Sequence, residues 1–168
     1  LHFLGQQRHL EAVRQAVQLP ILRKDFIGHP YQILESAAWG SDVVLLIASA
    51  LAPRHLASLF RYASDLGLET LVEIHAESEL DAALACDQAL IGINSRDLTN
   101  LRTDLGIARR LIRRIPKNRI AIAESGIKTR AEIEELADLG YRGFLVGEQL
   151  LRSGHFGRNL RKLLGPER

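Results

Sequence analysis

The sequence holds a single cysteine, no methionine, one tryptophan and only 5% aromatic residues. One thiol cannot close an internal disulfide, so Cys86, on a helical-looking stretch, reads as a buried or half-buried structural thiol rather than a nucleophile. Aromatics this sparse do not interleave with basic residues as stacking platforms for nucleic acid. No apolar run approaches the roughly 18 residues that a membrane span needs, and no charged-then-apolar leader opens the chain, so a reducing cytoplasm is the expected location. The six histidines (His2, His9, His29, His55, His75 and His155) show no His-x-x-x-His pattern, and no metal site is expected. A dinucleotide-binding sheet would want Gly-x-Gly-x-x-Gly after an early strand, and that spacing does not occur.

What is present is the composition of a soluble globular domain. The 168 residues are 46% hydrophobic and 25% charged, enough for one domain, spanning 1–168, with a real core. The net charge of +2 suits a small anionic substrate. Arg109, Arg110, Arg113 and Arg114 fall at i, i+1, i+4, i+5, opposite Ile107, Ala108, Leu111 and Ile112. That spacing marks the solvated face of an amphipathic helix better than a nucleic-acid patch.

Taken in order, the chain alternates between apolar runs and helical patterns. Gln7 to Val17 reads as a helix, Leu19 to Leu22 as a fully buried strand, and Pro30 to Trp39 as a helix with proline in its first turn. Asp42 to Ala48 is a second buried strand, followed by a helix from Pro53 to about Leu66. Strands are predicted at Thr70 to Ile74, Leu90 to Ile93, Ile120 to Ala123 and Gly143 to Val146. Helices are predicted over Glu77 to Ala85, Asp104 to Ile115, Thr129 to Leu139 and a terminal stretch to about Leu164, with a short turn of helix after the last strand. Thr129 with Glu132 forms a capping box, and Gly140 stops that helix.

Six strands alternating with helices imply a parallel sheet covered by helices. An open doubly wound sheet concentrates its site at one switch point, whereas a barrel draws on many strand ends. Here polar residues close nearly every strand: Lys24, Ser49, Glu73 with His75, Asn94 with Arg96, Glu124 with Ser125, and Gly147 with Glu148. The expected fold is therefore an α/β parallel barrel.

The same strand ends suggest chemistry. Lys24 and Glu73 pair a cation with a carboxylate, suited to general acid and base roles and equally to a structural ion pair. Arg96 offers a planar fork for a carboxylate and Asn94 an amide, or the two tie down their loop. Gly126 and Gly147 follow the last two strands, where phosphate-binding barrels use backbone N–H groups and a short extra helix; as bare glycines they also serve tight turns.

Five segments carry a resemblance to a known family. They are Pro-Ile-Leu-Arg-Lys-Asp-Phe-Ile (20–27) with Pro-Tyr-Gln (30–32), Leu-Val-Glu-Ile-His (71–75), Ile-Gly-Ile-Asn-Ser-Arg-Asp-Leu (91–98), Ala-Glu-Ser-Gly-Ile (123–127) and Leu-Val-Gly-Glu (145–148). In this order they resemble indole-3-glycerol phosphate synthase, and the resemblance runs from Phe3 to Leu164. It implies a (β/α)8 (TIM) barrel of tryptophan biosynthesis. The implied reaction closes and decarboxylates 1-(2-carboxyphenylamino)-1-deoxyribulose 5-phosphate, giving indole-3-glycerol phosphate, carbon dioxide and water, with no cofactor or metal. Lys24 is implied as the general acid and Glu73 as the catalytic carboxylate. Asn94, Arg96, Glu124 and Ser125 are implied to orient the substrate, and Gly126, Gly147 and the amide of Glu148 to cradle its phosphate. Phe26 would be an apolar wall beside the anthranilate ring.

The chain also departs from that family. Its members begin with a strand carrying Glu-x-Lys followed by Ser-Pro-Ser, and then a second strand, whereas Leu1-His-Phe-Leu-Gly5 resembles the piece just after that second strand. The expectation is an incomplete barrel, with six of eight strands and the first two βα units largely missing. A second catalytic lysine and a catalytic glutamate would go with them. Such a fragment is expected to be inactive alone and to self-associate through open barrel edges, with no nucleic-acid or membrane partner. Two alternatives stand beside the synthase: an inactive barrel that binds phosphate metabolites or serves in assembly, and another phosphate-binding barrel such as phosphoribosylanthranilate isomerase.

Overall fold

The computed structural model describes residues 5–97, 101–152 and 154–165. The opening residues 1–4 and Leu98, the last residue of the third motif, lie outside them. The chain divides into two compact units: the residues up to Glu73 together with Asp81–Ala89, and Ile74–Leu80 together with the residues from Leu90 onward.

The first unit is built on three parallel strands, β1 (Leu22–Arg23), β2 (Val43–Ile47) and β3 (Glu69–Ile74), with β2 between the other two. Val44, Leu45, Leu46 and Ile47 are all buried, as a central parallel strand covered on both faces requires. The covering helices are α2 (Pro30–Ala38) and α3 (Pro53–Asp65). Leu56, Leu59 and Ala63 of α3 recur at helical spacing and are fully buried. Helix α1 (Gln7–Ala16) buries none of its residues. Cys86 follows the short α4 (Leu80–Leu84), is buried, and donates to the Ala82 carbonyl at 3.7 Å.

The predicted buried strand at Leu19 to Leu22 is corrected. Leu19 is 70% exposed and the strand begins only at Leu22, half-buried. Pro20 has no N–H for the ladder, and the Ile21 N–H donates to the Asp42 carboxylate at 2.6 Å, so sheet pairing starts one residue later. The ladder then includes Arg23, opposite Val44.

The second unit repeats the scheme with β4 (Leu90–Asn94), β5 (Ala121–Glu124) and β6 (Gly143–Leu145), again parallel and with β5 in the middle. Its helices are α5 (Leu105–Leu111), α6 (Arg130–Leu139), the single turn α7 (Glu148–Leu151) and α8 (Phe156–Leu164). The predicted helix from Asp104 to Ile115 is α only to Leu111, with Asp104 as its cap and a 3-10 turn at Ile112–Arg114 ahead of Pro116. The Thr129–Glu132 capping box forms as expected, and Gly140 closes α6 at φ 117°. Partial burial pushes the Glu132 carboxyl up, but the N–H groups of Lys128 and Thr129 and the Thr129 hydroxyl hold it below its ordinary value on balance. Tyr141 is buried, and its hydroxyl donates to the Ala108 carbonyl at 2.9 Å.

Among the described residues no helix is long and apolar enough to cross a membrane, and no group of three or more His, Cys, Asp or Glu is placed to hold a metal ion.

Candidate active site

In the first unit the ends of β1 and β3 bring Lys24 and Glu73 together. Glu73 is the fifth residue of β3, opposite Ile47 of β2, and its side chain is 2% exposed. Lys24 follows the last residue of β1 and reaches over, so that its Nζ donates to Glu73 Oε2 at 2.7 Å while its own side chain remains 46% exposed. A buried carboxylate is costly unless paired, so the contact offsets the cost of burying Glu73 and holds the lysine ammonium beside it. An ammonium held against a carboxylate is chemically able to serve as an acid–base pair.

Phe26 lies beyond them, 60% exposed, in a loop pinned by Gln32. The Gln32 side chain accepts from the N–H groups of Gly28 and His29 at 2.9 and 3.1 Å and donates to the Phe26 carbonyl at 3.0 Å. With the His29 ring accepting from the Tyr31 N–H, this is a capping box at the start of α2 that pattern reading missed. Glutamine three residues after His29, with Pro30 between them, was the available signal.

In the second unit Asn94 and Glu124 end β4 and β5 as register partners, 5% and 1% exposed. Asn94 Oδ1 accepts from the Arg96 N–H at 3.0 Å. The Arg96 guanidinium donates to the Leu101 carbonyl at 2.9 Å and to Glu148 Oε2 at 3.1 Å. Both residues therefore tie down the loop after β4. The Glu148 carboxylate, the first side chain of α7, also meets Arg152 at 3.3 Å. The Arg96 hydrogen bond, and then the Arg152 charge, holds the Glu148 carboxyl below its usual range. This use of the Glu148 side chain had no local sequence signal, because its partner lies 52 residues away.

Ser125 and Gly126 follow β5 with φ of 63° and 79°, two successive left-handed residues. A serine there is strained, and such strain gathers at sites that need a fixed main-chain direction. A Cβ on Gly126 would lie 3.2 Å from Thr103 Cβ, whereas one on Gly147 would meet nothing within 4 Å. Gly147 caps α7 without a positive φ.

Arg23, the residue before Lys24, is turned elsewhere. Arg23 packs against α2, its guanidinium donating to the Gln32 carbonyl at 2.8 Å and the Ser36 hydroxyl at 3.1 Å, with its carbon 4.3 Å from the Trp39 ring centre.

Parallel strands alternating with helices define an α/β fold of the (β/α)8 barrel class, incomplete with six strands among the described residues. The chain is similar in fold to the tryptophan synthase A-subunit of Pyrococcus furiosus (TM-score 0.73, 17% identity, covering 95% of this chain and 72% of that one). The native KDPGal structure is another neighbour (TM-score 0.67, 15% identity, 96% of this chain and 79% of that one). The sequence profile of the family described as indole-3-glycerol phosphate synthase matches residues 1–163, and the chain belongs to that family. It is 44% identical over 166 residues to the indole-3-glycerol phosphate synthase of Dehalococcoides mccartyi, covering 97% of this chain and 64% of that protein. Its counterpart in Campylobacter jejuni is 43% identical over 162 residues, covering 96% and 63%. The chain thus spans just under two thirds of the length of these curated relatives.

Proposed function

We propose that these residues serve an indole-3-glycerol phosphate synthase in tryptophan biosynthesis, a carboxy-lyase working in the cytoplasm on a phosphorylated anthranilate derivative. The observation that carries the reading is the 2.7 Å contact between Lys24 and the buried Glu73, on the two family motifs where an acid and its carboxylate are needed. Family membership supports the same reaction and gives no support to phosphoribosylanthranilate isomerase.

In this reading the ring carbon bearing the carboxylate of 1-(2-carboxyphenylamino)-1-deoxyribulose 5-phosphate attacks the ketone carbon. Lys24 gives its proton to the ketone oxygen as that oxygen gains charge. Loss of carbon dioxide restores the aromatic ring, and loss of the new hydroxyl with a ring proton releases water and completes the indole. Glu73 holds the ammonium in place and shares in the proton transfers. Asn94, Arg96, Glu124 and Ser125 orient the substrate, the N–H groups around Gly126, Gly147 and Glu148 receive its phosphate, and Phe26 walls the anthranilate ring.

A second reading applies to the 168 residues as they stand: a phosphate-metabolite-binding or assembly module without turnover. It is favoured by the strand count, since a (β/α)8 barrel closes with eight strands and six parallel strands are found among the described residues. Open edges favour self-association. The experiment that separates the two is to assay the purified chain alone, and again with a fragment of a family member supplying two N-terminal βα units. Turnover only on complementation supports both the synthase and the incomplete barrel. Full activity from a monomer of the chain alone removes the second reading, and ligand binding without turnover in both states removes the first.

A further inference from the structure

Arg23 is a heavily engaged cation of the first unit, and nothing in the reaction above uses it. Its side chain is 10% exposed, which for a guanidinium requires that its donors be matched. They are. One terminal nitrogen donates to the Gln32 carbonyl at 2.8 Å and the Ser36 hydroxyl at 3.1 Å, and lies 3.5 Å from the Glu35 carboxylate. The other reaches Asp25 at 3.3 Å, and the planar group stacks over Trp39 at 4.3 Å. A planar fork that binds and stacks at once is a task for arginine, and lysine cannot reproduce it.

The neighbouring residue shows what this grip achieves. Successive side chains leave an extended backbone on opposite faces, so an Arg23 drawn onto α2 sends Lys24 the other way, where its Nζ meets Glu73. Asp25 is held from the same guanidinium, bracketing Lys24 between two fixed residues. Gln32, whose carbonyl Arg23 takes, is also the residue whose side chain pins the loop through Phe26.

We propose that Arg23 is a positioning residue for Lys24: by clamping β1 onto α2 it fixes the direction in which the lysine ammonium is presented. This rests on the reading of Lys24 as the general acid, although its test does not need turnover.

The chain has four lysines, Lys24, Lys117, Lys128 and Lys162, so three serve as internal references for the fourth. Brief acetylation of the folded chain with limiting acetic anhydride, read by peptide mass spectrometry, gives the labelling of Lys24 relative to those three. Arg23→Met should raise that ratio about threefold or more, the scale on which losing one hydrogen bond shifts an equilibrium, while the references keep their rates. Arg23→Lys should raise it too, because charge without the fork does not hold the position. Glu73→Gln, which removes the carboxylate that Lys24 meets at 2.7 Å, provides a comparison for the size of the rise. An unchanged Lys24 ratio in a folded Arg23→Met chain, judged by circular dichroism, would overturn the proposal, as would a uniform rise at all four lysines. Should Arg23→Met not fold, Arg23→Lys and Trp39→Leu carry the same readout: a selective rise in either folded variant supports the clamp, and no rise in both overturns it. If the synthase reading alone were wrong, turnover would be missing with this labelling pattern intact.

Discussion

The Arg96 guanidinium lies 3.1 Å from the Glu148 carboxylate, joining the loop after β4 to the start of α7 across 52 residues of sequence. A substrate carboxylate that is to use the Arg96 fork has to displace Glu148 or share the guanidinium with it. The Glu148 carboxyl is held below its ordinary value, first by this hydrogen bond and then by Arg152. For a carboxyl lowered in the folded state, the stabilisation is present above its unfolded value of about 4.3 and is lost as pH falls through the lower native value. A carboxyl-carbon NMR titration should therefore place the Glu148 midpoint below about 4.3, and Arg96→Met should return it towards that value. A midpoint at or above the free value in the parent chain would contradict the ion pair.

Tyr141 gives a sharper stability test. Burial pushes its phenol well above the usual range, so it stays a neutral donor to the Ala108 carbonyl throughout ordinary pH. Tyr141→Phe keeps the ring and removes only that hydrogen bond. A loss of about 1 kcal/mol in urea unfolding is expected, the net worth of a typical intramolecular bond. No loss would mean that the hydroxyl is not engaged as described.

The two glycines proposed for the phosphate behave differently. Gly126 sits at φ 79° with Thr103 close by, so Gly126→Ala should cost roughly 1–2 kcal/mol of stability whatever happens to ligand binding. Gly147 has no positive φ and open space where a Cβ would go, so Gly147→Ala should leave the melting temperature within about 1 °C on the usual scale of unstrained surface changes. Gly147→Leu should then raise KM for the phosphorylated substrate while a phosphate-free analogue binds as before. An equal loss for both ligands would point away from the cradle.

Much of this architecture was legible as pattern. The runs at Val43–Ile47, Glu69–Ile74 and Leu90–Asn94 are bounded, short and rich in branched apolar residues, the pattern of a strand. Thr129, Glu132 and Gly140 act within one helix, so spacing alone identified them. Three features escaped because their causes are not local. The start of β1 is set by Pro20 and by the Asp42 carboxylate, 21 residues from the N–H that it accepts. Arg23 and Lys24 are adjacent in sequence, yet α2 draws the first away from the second. Glu148 was chosen for its amide, and its carboxylate proved to be the partner of Arg96. For the site, the strand ends named the residues, and tertiary contacts decided which of them meet.

The most direct measurement is the turnover of 1-(2-carboxyphenylamino)-1-deoxyribulose 5-phosphate, followed by the indole chromophore of the product, with Lys24 intact and with Lys24→Met. Both chains are assayed with a family member's two N-terminal βα units supplied in trans. Removing a positioned proton donor should lower kcat by about 10²-fold or more with the far-UV circular dichroism unchanged. Near-normal turnover in Lys24→Met would contradict the assignment of Lys24, held at 2.7 Å from Glu73, as the general acid.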